Sequence, residues 1–317
     1  LGSGLGGRLG RGGTVDSSVP VPVPDLTTVT QISSGSGHTC ALKNNGSIWC
    51  WGGNHYGQIG NSTNNTALTP QQVDFANVNH PVITQIKLTT RSSYALDDQG
   101  RVYGWGRIGG VDNATEPIFL LDNATRLTGN DERLCVRLAN ESLRCETDSN
   151  RFRALTTNPF LSGATEGFHA EYPELFTLGP TQFNCAIRPS RQVACQGDNH
   201  WGQLGLGYAE TARAPTRLAA LPEATQITLL ADEVRCITTR EGRVLCWGDD
   251  DYGQVGDGPN RAGGATPHAV EGLEAVQDVQ IGDKHACALL AQGQVKCWGD
   301  NTDGQLGDGT TTRRDQP

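Results

Sequence analysis

Ten cysteines are the residues of this 317-residue chain whose type and spacing best support chemistry. They form five pairs, Cys40/Cys50, Cys135/Cys145, Cys185/Cys195, Cys236/Cys246 and Cys287/Cys297, each of the form C-x9-C. Paired cysteines suit a disulfide, a zinc site or two buried thiols. Zinc sites place paired cysteines about two to four residues apart, so this spacing fits metal poorly. Folded at its midpoint, such a segment brings its ends opposite each other on an antiparallel hairpin. Opposed Cβ atoms then lie roughly 4.5–5.5 Å apart, slightly beyond but close to what a bridge needs. Asn44-Asn45-Gly46 supplies turn chemistry at the first midpoint. The expectation is five hairpin disulfides, each contributing on the order of 2–3 kcal/mol in the chain-entropy account.

The other reactive side chains are weaker candidates. His38 and His285 stand two residues before a cysteine, where other copies of the pattern have Ser92, Arg133, Phe183 and Val234. A residue fixed by repeat position points to structure. His55 and His200 adjoin Tyr56 and Trp201 just before Gly-Gln-x-Gly, which points to turn packing. Asp249, Asp250, Asp251, Asp257, Asp300, Asp303 and Asp308 crowd two loops. Asp300-Asn-Thr-Asp-Gly304 resembles the start of a calcium loop, but its twelfth position is Thr311 rather than glutamate. Turn formation is their expected role. Gly2, Gly4 and Gly7 spell G-x-G-x-x-G without a preceding strand or a following helix, so no nucleotide is expected. There is no G-x-S-x-G elbow, P-loop or zinc helix. No catalytic residue, metal or cofactor is assigned, and an enzyme is not expected. A glycosidase would need two carboxylates about 5–10 Å apart in one cleft.

The elements that carry the cysteines repeat. Tyr94 through Gly106 aligns on the cysteine frame without a gap and has Tyr94 and Gly104 at the two cysteine positions. Both partners are replaced together, as bonded partners require. With this sixth copy the frame starts at 40, 94, 135, 185, 236 and 287, a period of about 49. Pro20, Val23, Leu26 and Val29 precede Cys40 at the offsets by which Pro267, Val270, Leu273 and Val276 precede Cys287. Strand-like runs such as 276–281, 285–290 and 294–298 are bounded by Gly, Asp and Asn. A period of 40–50 with several short strands per unit predicts propeller blades. The expected fold is all-β: a β-propeller of six blades with four antiparallel strands each, five of them stapled, spanning 20–317 as one domain. A truncated seven-bladed ring is the competing count. Residues 1–19 read as a Gly-rich N-terminal tail or an assembly arm. The non-repetitive stretch at roughly 148–174 reads as a degenerate outer strand and loop, or as a contact surface anchored by Phe152, Phe160, Phe168 and Tyr172.

These motifs resemble the repeat of the regulator of chromosome condensation family. The matching strings are Gly-x-Gly-His38-Thr-Cys-Ala-Leu, Gly46-Ser-Ile-Trp-Cys-Trp-Gly and Asn54-x-x-Gly57-Gln-Ile-Gly, and again Gly282-Asp-Lys-His285-Ala-Cys-Ala-Leu through Gly307. The resemblance spans 20–317 and implies four-stranded blades with Gly and Trp-Gly packed blade to blade. It implies a binding platform rather than a chemistry. The exchange-factor activity of the family's namesake is not carried over to this chain.

Composition narrows the partners. A formal charge of −9 disfavours nucleic acid. No apolar run approaches the roughly 20 residues that span a bilayer. The chain has no methionine and no charged-then-apolar leader, and it reads as a mature chain. Bridged cysteines then place it outside the cytosol, secreted or at the cell surface. Six Asn-x-Ser/Thr triplets, at Asn45, Asn61, Asn64, Asn113, Asn123 and Asn140, are glycosylation candidates. The expected role is a non-catalytic extracellular interaction or structural module, favoured as part of a filament or surface coat. Its partners would be proteins, including copies of itself through residues 1–19, and glycans. The alternative is a soluble lectin or ligand-binding propeller.

Overall fold

Each repeat is built on a hairpin whose tip the sequence dictates. Gly46, Gly100, Gly242 and Gly293 occupy the tips with φ between +72° and +81°, a left-handed conformation that glycine adopts without Cβ strain. The two arms then pair so that Cys40 faces Cys50, Cys185 faces Cys195, Cys236 faces Cys246 and Cys287 faces Cys297. All four pairs are bridged, with Cα atoms 4.1–4.2 Å apart. Cys135 is also disulfide-bonded, and the backbone register sets Cys145 opposite it. Tyr94 faces Gly104 in the same register. A Cβ at Gly104 would lie 3.0 Å from the Tyr94 ring and 2.8 Å from Leu120, so the aromatic fills the space of the missing bridge.

The computed structural model describes residues 2–108, 111–129, 134–140, 143–145, 153–154, 166–169, 183–187, 190–218, 221–229, 234–259, 264–282 and 284–317. These residues form an all-β propeller fold with six antiparallel sheets. The first blade comprises Val29–Ser34, His38–Lys43, Ile48–Gly52 and Ala67–Gln72, and the second Ile83–Leu88, Ser92–Asp97, Val102–Ile108 and Val111–Leu121. The third comprises Ala124–Gly129, Leu134–Leu138, Leu143–Cys145 and Arg153–Ala154, and the fourth Glu166–His169, Phe183–Ile187, Val193–Gly197 and Ala212–Arg217. The fifth has Ala224–Leu229, Val234–Thr239, Val244–Gly248 and Gly264–Ala269. The sixth has three strands, Val276–Ile281, His285–Leu290 and Val295–Gly299. Its fourth position holds only a bridge between Gly299 and Arg314. The chain divides into two compact units, Leu1–Thr156 with three of the blades and Thr157–Pro317 with the other three.

Within each unit, neighbouring blades are locked by the Trp-Gly and Gly-Gln-x-Gly strings. Trp105 of the second blade donates its indole N–H to the Gln58 carbonyl of the first (2.9 Å). Trp247 donates to Gln203 O (3.0 Å) and Trp298 to Gln254 O (2.9 Å) in the same way. The last glycine of each turn is required by contact. A Cβ at Gly60, Gly205 or Gly256 would sit within 2.8 Å of the facing indole. The side chain between, Ile59, Leu204 or Val255, is fully buried.

Residues 2–17 belong to this same system. Gly7-Arg8-Leu9-Gly10 packs against Trp51 of the first blade: the indole N–H donates to Arg8 O (2.9 Å), and a Cβ at Gly10 would meet the ring at 2.8 Å. Gly12 N–H donates to Leu68 O (2.8 Å). The Gly2–Ser17 bridge repeats the Gly299–Arg314 bridge at the same offset. The Gly-rich head thus has an intramolecular seat on the first blade, in the place that the closing turn of the preceding blade takes on the second, fifth and sixth.

Candidate interaction surface

The loop between the third and fourth strands of a blade runs from Trp-Gly (Gln196-Gly197 in the fourth blade) to Gly-Gln-x-Gly and displays two residues at its apex. They are His55-Tyr56 in the first blade, His200-Trp201 in the fourth, Asp251-Tyr252 in the fifth and Thr302-Asp303 in the sixth. Side chains turn outward here because the following segment is anchored inward. The Asn54 side chain accepts from Ile59 N–H (2.9 Å) and donates to the carbonyls of Thr63 (2.8 Å) and Asn65 (3.0 Å). The Gln58 side chain accepts from Tyr56 N–H (2.8 Å), and Gln203 and Gln254 serve Trp201 and Tyr252 alike.

Two apex aromatics have a cation over the ring, supplied each time by the next blade. Arg91 stands 5.5 Å from the Tyr56 ring centre and Arg107 at 5.9 Å. Lys284 stands 4.2 Å from that of Tyr252. Arg91 and Lys284 hold equivalent places, three residues before Tyr94 and Cys287. Trp201 is 59% exposed, and its neighbour His200 pairs with Asp198. Aromatic faces carry negative charge at their centre and attract such cations. A flat apolar ring beside a fixed positive charge is an arrangement suited to a protein partner's backbone and acidic side chains.

The sequence-derived candidates are distributed differently. Phe152, Phe160 and Tyr172 lie outside the described residues. Phe168 lies in the first strand of the fourth blade, opposite Cys185, rather than in a loop. His38 is buried. Its Nε2 is 2.8 Å from Ser93 Oγ, which itself donates to Gln58 O (2.8 Å), so Nε2 carries the proton and His38 is a structural donor. Burial pushes its pKa down to about 3. His285 opens the second strand of the sixth blade and is half-buried. Among the acidic residues, Asp249 accepts from Gln254 (3.1 Å), and Asp300 from Thr302 and Gln305. These are turn contacts. Asn45, Asn64, Asn113, Asn123 and Asn140 are exposed; Asn61 is half-buried and hydrogen-bonded to Thr63. Among the described residues, no helix is long and apolar enough to cross a membrane. Tyr56 and Trp201 stand beside Gly-Gln-x-Gly in the sequence, where turn packing is the expectation. The cations over Tyr56 and Tyr252 are not legible there, because they come from about 32–35 residues further along.

The sequence profile of the regulator of chromosome condensation (RCC1) repeat matches residues 1–42, 45–96 and 241–289, and a second form of it matches 29–58 and 276–305. The chain belongs to the RCC1-repeat family. It is similar to the human E3 ubiquitin-protein ligase HERC2, 25% identical over 323 residues. That match takes in 100% of this chain and 6% of HERC2. It is 27% identical to the ultraviolet-B receptor UVR8 of Arabidopsis thaliana, over 98% of this chain and 62% of the receptor. Among solved structures, yeast RCC1 (Prp20) bound to Kap60 superimposes with a TM-score of 0.82 at 17% identity, covering 100% of this chain and 82% of that one. At that identity the likeness shows the fold. The RCC1-repeat propeller is a protein-interaction fold.

Proposed function

We propose that this chain is a non-catalytic extracellular interaction module that docks protein partners through the apex loops of its blades, with Tyr56 serving in the first compact unit and Trp201 and Tyr252 in the second. The observation that carries the reading is the repeated aromatic–cation pair, Tyr56 with Arg91 and Tyr252 with Lys284, at equivalent positions of two repeats. Nothing inside a blade needs those side chains, whereas large aromatics beside arginine or lysine are what binding surfaces use as anchors. The hairpin disulfides support a place outside the reducing cytosol. The relatives add that proteins of this fold engage protein partners, as yeast RCC1 does with Kap60. Residues 2–17 are engaged with the first blade, so the docking surface is assigned to the loops rather than to that segment.

The test compares the wild-type chain with a Tyr56→Ala, Trp201→Ala, Tyr252→Ala triple variant in proximity cross-linking against extracellular proteins of the source. The wild type should enrich a discrete partner, and the variant should lose at least tenfold of it with an unchanged melting temperature. Equal enrichment by both would refute the loop assignment. Saturable binding to a sugar array with no protein partner would favour the lectin reading instead.

A further inference from the structure

In the first, fourth and sixth blades the closing loop is tied by one amide side chain, and in the fifth that amide is replaced. Asn54, Asn199 and Asn301 accept a backbone N–H through Oδ1, from Ile59, Leu204 and Leu306, at 2.8–3.0 Å. Through Nδ2 they donate to main-chain carbonyls, Asn54 to Thr63, Asn199 to Tyr208 and Asn301 to Thr310 and Thr312. In the fifth blade the residue is Asp250. Its Oδ1 keeps the first bond, to Val255 N–H at 2.8 Å. Its second oxygen takes the place of the NH2 group and, when ionised, has no proton to donate.

Seven residues further on, a second carboxylate lacks the hydrogen-bond donors that its counterpart in the sixth blade has. In the sixth blade the equivalent Asp308 accepts from Asn301 Nδ2 (3.2 Å), from Thr310 N–H (2.9 Å) and Oγ (2.7 Å), and from Arg314 (2.7 Å). In the fifth copy Asp250 replaces Asn301, Pro259 replaces Thr310 with neither N–H nor hydroxyl, and Gly263 replaces Arg314. Asp257 is only 7% exposed, and neither of its carboxylate oxygens has a hydrogen-bond partner. Among the described residues, the arginine that acts on Asp250 is already engaged. Arg313 donates to Asp315 (2.5 Å) and to Asp251 O (2.6 Å). A carboxylate buried without a donor or counter-charge is strongly unfavourable.

We propose that Asp250 and Asp257 bind a calcium ion in the closing loop of the fifth blade. The ligands would be hard oxygens: the two carboxylates and, by repeat position, the main-chain carbonyl of Pro259, which matches the carbonyls of Thr63, Tyr208 and Thr310 that the amide serves in the other blades. Calcium accepts six to eight such ligands, including main-chain carbonyls and waters, in irregular geometry. Among the described residues no three His, Cys, Asp or Glu side chains gather. Two carboxylates with a main-chain carbonyl lack the Cys and His ligands that zinc takes and suit calcium, whose remaining ligands would be waters. The ion performs the task that the amide performs elsewhere, joining the start of the loop to its return.

The rival occupant is a proton. Burial, and then Asp257 and Asp315, push the Asp250 carboxyl up to about 7, while the Val255 N–H and Arg313 oppose the rise. The test is thermal unfolding of the full chain at pH 8 in EDTA, followed by titration with CaCl2 and, in parallel, MgCl2. Saturating calcium should raise the wild-type melting temperature by about 5 °C, with magnesium less effective. Asp257→Ala and Asp250→Asn should lose that rise. Asp250→Asn restores the amide of the other blades and should fold in EDTA with at least wild-type stability, so the test survives if Asp257→Ala fails to fold. The proposal is overturned by an absent calcium response in the wild type or an equal response in both variants. A melting temperature that falls from pH 6 to pH 8 and ignores calcium would identify the proton instead.

Discussion

The sharpest residue-scale consequence concerns His38. Its ring is neutral and fully buried, donates to Ser93 and lies in a network that also holds Trp105 on the Gln58 carbonyl. Burial lowers its pKa from 6.5 to about 3. The unfolded chain therefore takes up a proton below pH 6.5 that the folded chain refuses. Stability contributed here is complete above pH 6.5 and is lost as the pH falls toward 3. Between pH 7 and pH 5 the loss should reach about 2 kcal/mol, and His38→Gln should remove it. Urea unfolding of both proteins at pH 7 and pH 5 measures the difference; parallel losses would contradict the assignment. The sequence shows that His38 is structural, because its place recurs with His285. It does not show the partner, because Ser93 lies on the next blade. Asp257 is less legible still: the residues that would neutralise it are missing in the repeat, and an absence stands out only against Asp308 in the folded chain.

At the scale of elements, the strands are legible in the sequence and the seat of residues 2–17 is not. The runs expected at 276–281, 285–290 and 294–298 are strands at Val276–Ile281, His285–Leu290 and Val295–Gly299, since β-branched alternation bounded by Gly and Asp leaves little choice. Residues 1–19 hid their kinship because the diagnostic side chains are replaced: Leu1 stands for Trp298, Gly4 for Asn301 and Arg8 for Gln305. What remains is the pair of glycines and Leu9, which a folded structure needs and a motif search overlooks. The roles of those glycines yield a prediction. Gly10 has φ of +66° and would bring a Cβ to 2.8 Å from the Trp51 indole. Gly10→Val should therefore destabilise the chain by about 1–3 kcal/mol through overpacking and backbone strain, seen in denaturant unfolding. Gly13→Val, where a Cβ meets nothing within 4 Å, is the control and should be near neutral. Equal effects would show that residues 2–17 do not seat on the first blade.

For the whole molecule, one repeat sets both the architecture and its redox state. The period near 49, the joint loss of both cysteines at Tyr94 and Gly104 and the turn glycines made the all-β propeller legible before any coordinates. The partner surface was not, because each aromatic–cation pair joins two blades and neither half is a motif alone. If the account is right, the blades are clipped hairpins, and a chain made by an oxidising route carries no free thiol. The direct measurement is alkylation of the native protein before and after reduction, followed by tryptic mass mapping; Lys43 and Arg240 provide cleavage points between bridged cysteines. The account predicts no alkylated cysteine before reduction, ten after it, and linked peptides joining Cys40 to Cys50 and Cys236 to Cys246. Free thiols in the folded protein, or linkages between different repeats, would contradict it.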